Sequence, residues 1–166
     1  MSRHLTARTL LAALAVASVV FALVAVVLVQ RAESRVEAEF AARDAATAAG
    51  SAALERMLAY EHETIEDDLE SATEVMTEEF AEKYSELAPQ LVTTAQQRKV
   101  DVVASVRHIA ALECGQECST SAVRLLAFVD QHRTIDGEPG SPAALSVVLS
   151  MKRVDGAWLV DDLTTS

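Results

Sequence analysis

Twenty consecutive residues, Leu10 to Val29, restrict what this chain can become more than any other stretch. They read LLAALAVASVVFALVAVVLV, with Ser18 the only polar residue and no charge. A helix of that length rises about 30 Å, the thickness of a bilayer's hydrocarbon core. It also pairs its backbone amides within itself, as lipid requires. The run predicts a single membrane-spanning helix at 10–29. A cleavable signal has a shorter apolar core of about 7–15 residues and a small-x-small cleavage site. Here Gln30-Arg31-Ala32-Glu33 comes directly after the run and offers no such site, so an uncleaved signal anchor is expected. Arg3 and Arg8 before the run nearly balance Arg31 and Arg35 after it. The short tail 1–9 ahead of a long acidic segment predicts a cytoplasmic N-terminus and an extracytoplasmic C-terminal domain, single-pass in the cell membrane.

Beyond Val29 there is enough chain for one small domain with a core. This segment carries 12 Lys and Arg against 25 Asp and Glu. A surface this acidic repels phosphate backbones, so nucleic acid is excluded as a partner, and it does not lie flat on an anionic membrane. Cys114 and Cys118 flank Gly115 in Glu-Cys-Gly-Gln-Glu-Cys-Ser. In an oxidising compartment that spacing predicts a small structural disulfide. Free thiols or a metal site are the alternatives; the Cys-x-x-Cys redox spacing is missing, and only His108 is near enough in sequence to help a zinc ion.

The apolar pattern changes character once along the chain. Residues 30–50 are rich in alanine and free of proline, a helical stalk, with Gly50-Ser51 a weak point before the domain at 51–166. Leu54, Met57 and Leu58 begin an apolar stripe. Thr64 caps a second helix whose stripe runs Ile65, Leu69, Ala72, Met76, Phe80, Tyr84, Leu87, with Glu70, Glu74, Glu78, Glu82 and Glu86 on the opposite, solvated face. Pro89 is expected to break or restart it, with Leu91 to Arg98 as a last short turn. From Val100 the period becomes 2: strands over about 100–112, 123–134, 145–151 and 158–163, the last two joined by the Asp155-Gly156 turn. Asp136 to Pro142 reads as a loop. Phe80, Tyr84 and Trp158 are the expected structural anchors of the core. Helices ahead of a four-stranded antiparallel meander predict an α+β fold with the sheet wrapped around the helices.

Anchor, stalk, helices and a curved antiparallel sheet together resemble a nuclear-transport-factor-2-like (cystatin-like) cone. More narrowly, the chain is similar to the actinobacterial Mce-associated membrane proteins. The stretches that carry the likeness are the Ala-rich 41–60 ending in Met57-Leu-Ala-Tyr60, Ile65-Glu-Asp-Asp-Leu69, Phe80-Ala-Glu-Lys-Tyr84, Val129-Asp-Gln131 and Val154-Asp-Gly-Ala-Trp158-Leu-Val-Asp-Asp-Leu163. The resemblance implies a non-catalytic accessory protein that binds or stabilises an Mce-type lipid or sterol transport complex, with protein partners in that complex. A small-ligand or lipid-binding cone (a carrier or a SnoaL-like enzyme) and a secretion-apparatus assembly scaffold are the alternatives.

Catalysis would need convergent groups. Tyr60, Tyr84, His108, Asp130 and His132 are the candidates, and their spacing produces no dyad: His132 shares strand parity with Arg124 and Asp130, an outward face, and the tyrosines lie on apolar stripes. His62 sits between Glu61 and Glu63 as a solvated cap residue. No catalytic residue, metal ligand or cofactor is expected, and the oligomeric state is left open.

Overall fold

The computed structural model describes the backbone of residues 2–113, 115 and 118–165, with the side chains of Ser18 and of residues 21 onward. Helices α1 (Ser2–Leu58), α2 (Ile65–Thr73) and α3 (Glu78–Arg98) precede strands β1 (Val100–Ala111), β2 (Ala122–Ile135), β3 (Glu138–Pro139), β4 (Ala143–Val154) and β5 (Ala157–Thr165). The chain divides into two compact units, 1–40 and 41–166.

In the first unit α1 leaves Phe21, Leu23, Val24, Val26, Val27, Leu28 and Val29 exposed around its circumference. Among the described residues no helix is long and apolar enough to cross a membrane; most side chains of the expected span 10–29 lie outside that description.

The second unit is α+β. Its antiparallel sheet has the order β1-β2-β4-β5, and β3 pairs with the end of β2. One face of each strand is buried: Val100, Val102 and Ala104 on β1; Val123, Leu125, Ala127 and Val129 on β2; Val147, Leu149 and Met151 on β4; Val160 on β5. Register shifts between Val106 and His108 and between Ser150 and Met151 help the sheet curve. Residues 41–58 of α1 pack onto that face through Ala46, Ala53, Leu54 and Met57. Gly50 stays helical and marks the closest approach. A Cβ there would lie 2.5 Å from Leu125 Cδ1, with Ile109 and Met151 next, so α1 crosses three strands where only a hydrogen fits. A satellite core joins Ile65 and Leu69 of α2, Ala95 of α3 and Val100 and Val102 of β1.

Three expectations change. The continuous helix over 65–87 is two helices, because residues 75–77 leave the helical path to pair with β5. The Val160 amide donates to the Val75 carbonyl (2.9 Å), and the Thr77 amide donates to the Val160 carbonyl (2.8 Å). Thr77 then caps α3, its hydroxyl accepting from the Phe80 amide and donating to Asp161. Pro89 does not end the helix; it lies inside α3. The sheet has five strands rather than four, because Asp136 (φ 50°) and Gly137 (φ 82°) form a two-residue hairpin turn like that at Asp155 (φ 49°) and Gly156 (φ 90°).

Each border strand of the sheet is met at one residue by a connecting segment of the chain. The α2–α3 connection sits against β5 at Val160. The α1–α2 connection sits against β1, where Tyr60 and Val102 exchange two backbone hydrogen bonds of 2.9 and 2.8 Å.

Candidate functional site

The last turn of α1 leaves carbonyls without helical partners, as every helix end does. Two donors from distant elements reach them. The Tyr84 hydroxyl of α3 donates to the Met57 carbonyl (3.1 Å), and Gln131 Nε2 of β2 donates to the Leu58 carbonyl (3.1 Å). Burial pushes the Tyr84 hydroxyl up to about 12, helped by the neighbouring Tyr60, whose own value burial also raises. The connection then turns at His62. Its amide donates to Asp101 Oδ1 at 2.8 Å, and its Nδ1 lies 2.6 Å from the same oxygen. These two hydrogen bonds, the backbone one first, hold the Asp101 carboxyl below its usual range. His62 is therefore a clip between the α1–α2 connection and β1 rather than a solvated cap. The expected Thr64 cap is also different: its hydroxyl donates to Asp68 Oδ2, which accepts from the Glu61 amide as well.

Two grooves open beside this junction. The first, of about 370 Å³, is bordered by Arg56, Tyr60, Asp68, Ser71 and Asp101. Three of its charged groups are already engaged: Arg56 with Ser71 (2.8 Å) and Glu74 (2.6 Å), Asp68 with Thr64, and Asp101 with His62. The second, of about 550 Å³, runs between α2 and α3 over Leu69, Tyr84, Ala88, Pro89 and Val92, with Glu66 and Glu70 on its rim. This groove escapes a reading of the sequence in which Pro89 ends the helix. Ala88 and Val92, at steps of four from Tyr84, are the signal that could have found it.

The candidate catalytic groups are not brought together. His108 pairs in register with Phe128, and His132 with Val103, on the outward face of the sheet; both histidines are exposed. Asp130 of that face makes an ion pair with Arg107. Tyr60 and Tyr84 lie on the helix side. Phe80, Tyr84 and Trp158 are half-buried and pack against the main core, whereas Leu87, expected on the apolar stripe, is 68% exposed. Among the described residues no three or more His, Cys, Asp or Glu side chains converge as for a metal ion. Cys114 lies outside the described residues, and with it the expected Cys114–Cys118 pairing; Cys118 Sγ lies 3.9 Å from the Leu112 carbonyl oxygen.

No family model matches this chain, and no curated protein matches it. Solved structures do share the fold. A periplasmic fragment of TraM is similar over 74% of this chain and 95% of its own, with a TM-score of 0.61 at 14% identity. An IcmL-like type IV secretion system protein from Legionella pneumophila is similar over 72% of this chain and 88% of its own, with a TM-score of 0.62 at 11% identity. CagV from Helicobacter pylori, a VirB8 homolog of the type IV secretion system, is similar over 72% and 95%, with a TM-score of 0.57 at 12% identity. The likeness overturns the accessory role beside an Mce-type lipid or sterol transport complex, because proteins of this fold are named for secretion instead. The fold of residues 41–166 is the one these periplasmic and secretion-system domains share.

Proposed function

We propose that this chain is a non-catalytic assembly scaffold of a secretion-type apparatus. Residues 10–29 anchor it in the cell membrane, and the domain from residue 41 onward stands outside the cytoplasm and holds protein partners. The observation that carries this reading is the match of the domain to nearly the whole length of the TraM fragment and of CagV. The uncharged run at 10–29 and the apolar side chains exposed on α1 support the anchor. A filled interior speaks against a carrier: Leu54, Leu125, Leu149, Met151 and Val160 are each under 2% exposed. A lipid or small-molecule cone keeps space where these side chains sit.

The test is affinity purification of the full-length protein from its native membrane, with mass spectrometry of proteins and lipids together. Recovery of several envelope proteins of one translocation apparatus is the expected outcome. Recovery of a stoichiometric lipid or small molecule with no protein partner overturns the reading.

A further inference from the structure

We propose that the groove between α2 and α3 seats a basic amphipathic helix of a protein partner; this rests on the scaffold reading and names the chemistry of its partner. The floor is apolar. Leu69 is only 5% exposed, and Tyr84, Ala88, Pro89 and Val92 complete a trough of about 550 Å³. Beyond Thr73 and Ser85 the trough continues into a second stretch of about 700 Å³ bordered by Glu78, Glu82 and Glu86. The occupant therefore meets an apolar floor with Glu66 and Glu70 on its α2 rim, and beyond it a polar stretch bordered by Glu78, Glu82 and Glu86.

Those carboxylates are not neutralised by the chain's own cations. Five other acids of the domain do have such a cation: Glu74 has Arg56, Glu79 has Lys83, Asp130 has Arg107, Asp136 has Lys99 and Asp161 has Lys152. Among the described residues Glu66, Glu70, Glu78, Glu82 and Glu86, which border the trough, form no ion pair. A partner that brings Lys or Arg beside an apolar stripe supplies what is missing, and its charges also speed and orient its approach. α2 has nine residues, so the trough beside it extends about 14 Å at 1.5 Å per residue. That accepts two to three turns of helix, which present apolar anchors at i, i+3 or i+4, and i+7. A second copy of this domain would bring the same acidic faces, and an anionic lipid surface is repelled for the same reason.

The test places a photo-crosslinking amino acid at Val92 in the full-length chain, in its native membrane, with Val103 on the outward sheet face as the comparison position. Crosslinked segments are identified by mass spectrometry. The proposal expects a Val92 adduct with a partner segment that is net positive and amphipathic in its helical pattern. It also expects the yield to fall at least about tenfold in Glu66→Lys/Glu70→Lys. Both positions are exposed, and unchanged Trp158 fluorescence shows that the double variant is folded. An adduct with a second copy, a lipid, or a neutral or acidic segment overturns the proposal, as does a yield the double variant leaves unchanged. Apparatus proteins captured only from Val103 overturn the groove and leave the scaffold reading standing. No protein adduct from either position overturns both.

Discussion

Gln131, in the middle of the sheet, donates its side-chain amide to the Leu58 carbonyl at the end of α1, 73 residues earlier in the chain. Gln131 is only 9% exposed, so this bond is made away from bulk water, where a lost partner is not replaced at once. It ties the C-terminus of the central helix to the strand that helix covers. Gln131→Leu keeps the volume and removes the donor. We expect a loss of about 1–3 kcal/mol in unfolding free energy, read by thermal or denaturant unfolding through Trp158, the single tryptophan. A loss below about 0.5 kcal/mol would show that the Leu58 carbonyl finds another donor.

Tyr84 makes the matching bond to Met57 and carries a pH prediction. A phenol whose folded-state pKa exceeds its unfolded value holds its proton more tightly in the folded state. Its contribution is complete below the ordinary value of 10 and is lost as pH rises through about 12. Stability should therefore fall over that alkaline window, and absorbance at the tyrosinate band should show one of the two tyrosines ionising near 12. Tyr84→Phe removes that step and costs about 1 kcal/mol at neutral pH. A wild-type titration complete near pH 10 contradicts the burial of Tyr84.

Gly50→Ala sets two effects against each other. Alanine in a helix is favoured over glycine by about 1 kcal/mol, but its Cβ arrives 2.5 Å from Leu125 Cδ1 in a filled core. Overpacking of that kind costs about 1–3 kcal/mol, so the net change runs from neutral to about 2 kcal/mol destabilising. Removing the obstacle shifts that balance. In a Leu125→Ala background, Gly50→Ala is neutral or stabilising, and a double-mutant cycle of unfolding energies measures the coupling.

The spacing of Cys114 and Cys118 predicts a disulfide, so both should resist alkylation in the protein as isolated. Both are alkylated after reduction. Alkylation of both cysteines before reduction would show that no disulfide joins them. Because the closed loop is so short, reduction should cost no more than about 2 kcal/mol.

The sheet is the most legible part of the molecule in its sequence, for a physical reason. A strand with one buried face alternates at every residue, and Val123, Leu125, Ala127 and Val129 repeat that rule without interruption. The Asp155-Gly156 turn carries its signal in two adjacent residues. Asp136-Gly137 carries the same signal but lies beside Pro139, Gly140 and Pro142, whose loop chemistry hides a short strand. The break between α2 and α3 is not legible, since the apolar stripe runs on through Met76; the partner that unwinds the helix there is Val160, far away in sequence. Gly50 likewise reads as a weak joint, and only Leu125 explains why it must be small. Residues whose roles are set by neighbours close in sequence can be read, and those set by distant contacts cannot.

The two connections that lie along β1 and β5 bear on how copies behave when crowded. Open strand borders are templates on which one molecule extends its hydrogen bonding into the next, the first step toward fibrils. Here Tyr60 holds Val102, and Val75 and Thr77 hold Val160. A neighbour must displace those segments before it can add a strand at either place. Copies brought close together can therefore meet through side-chain surfaces without first sharing a strand.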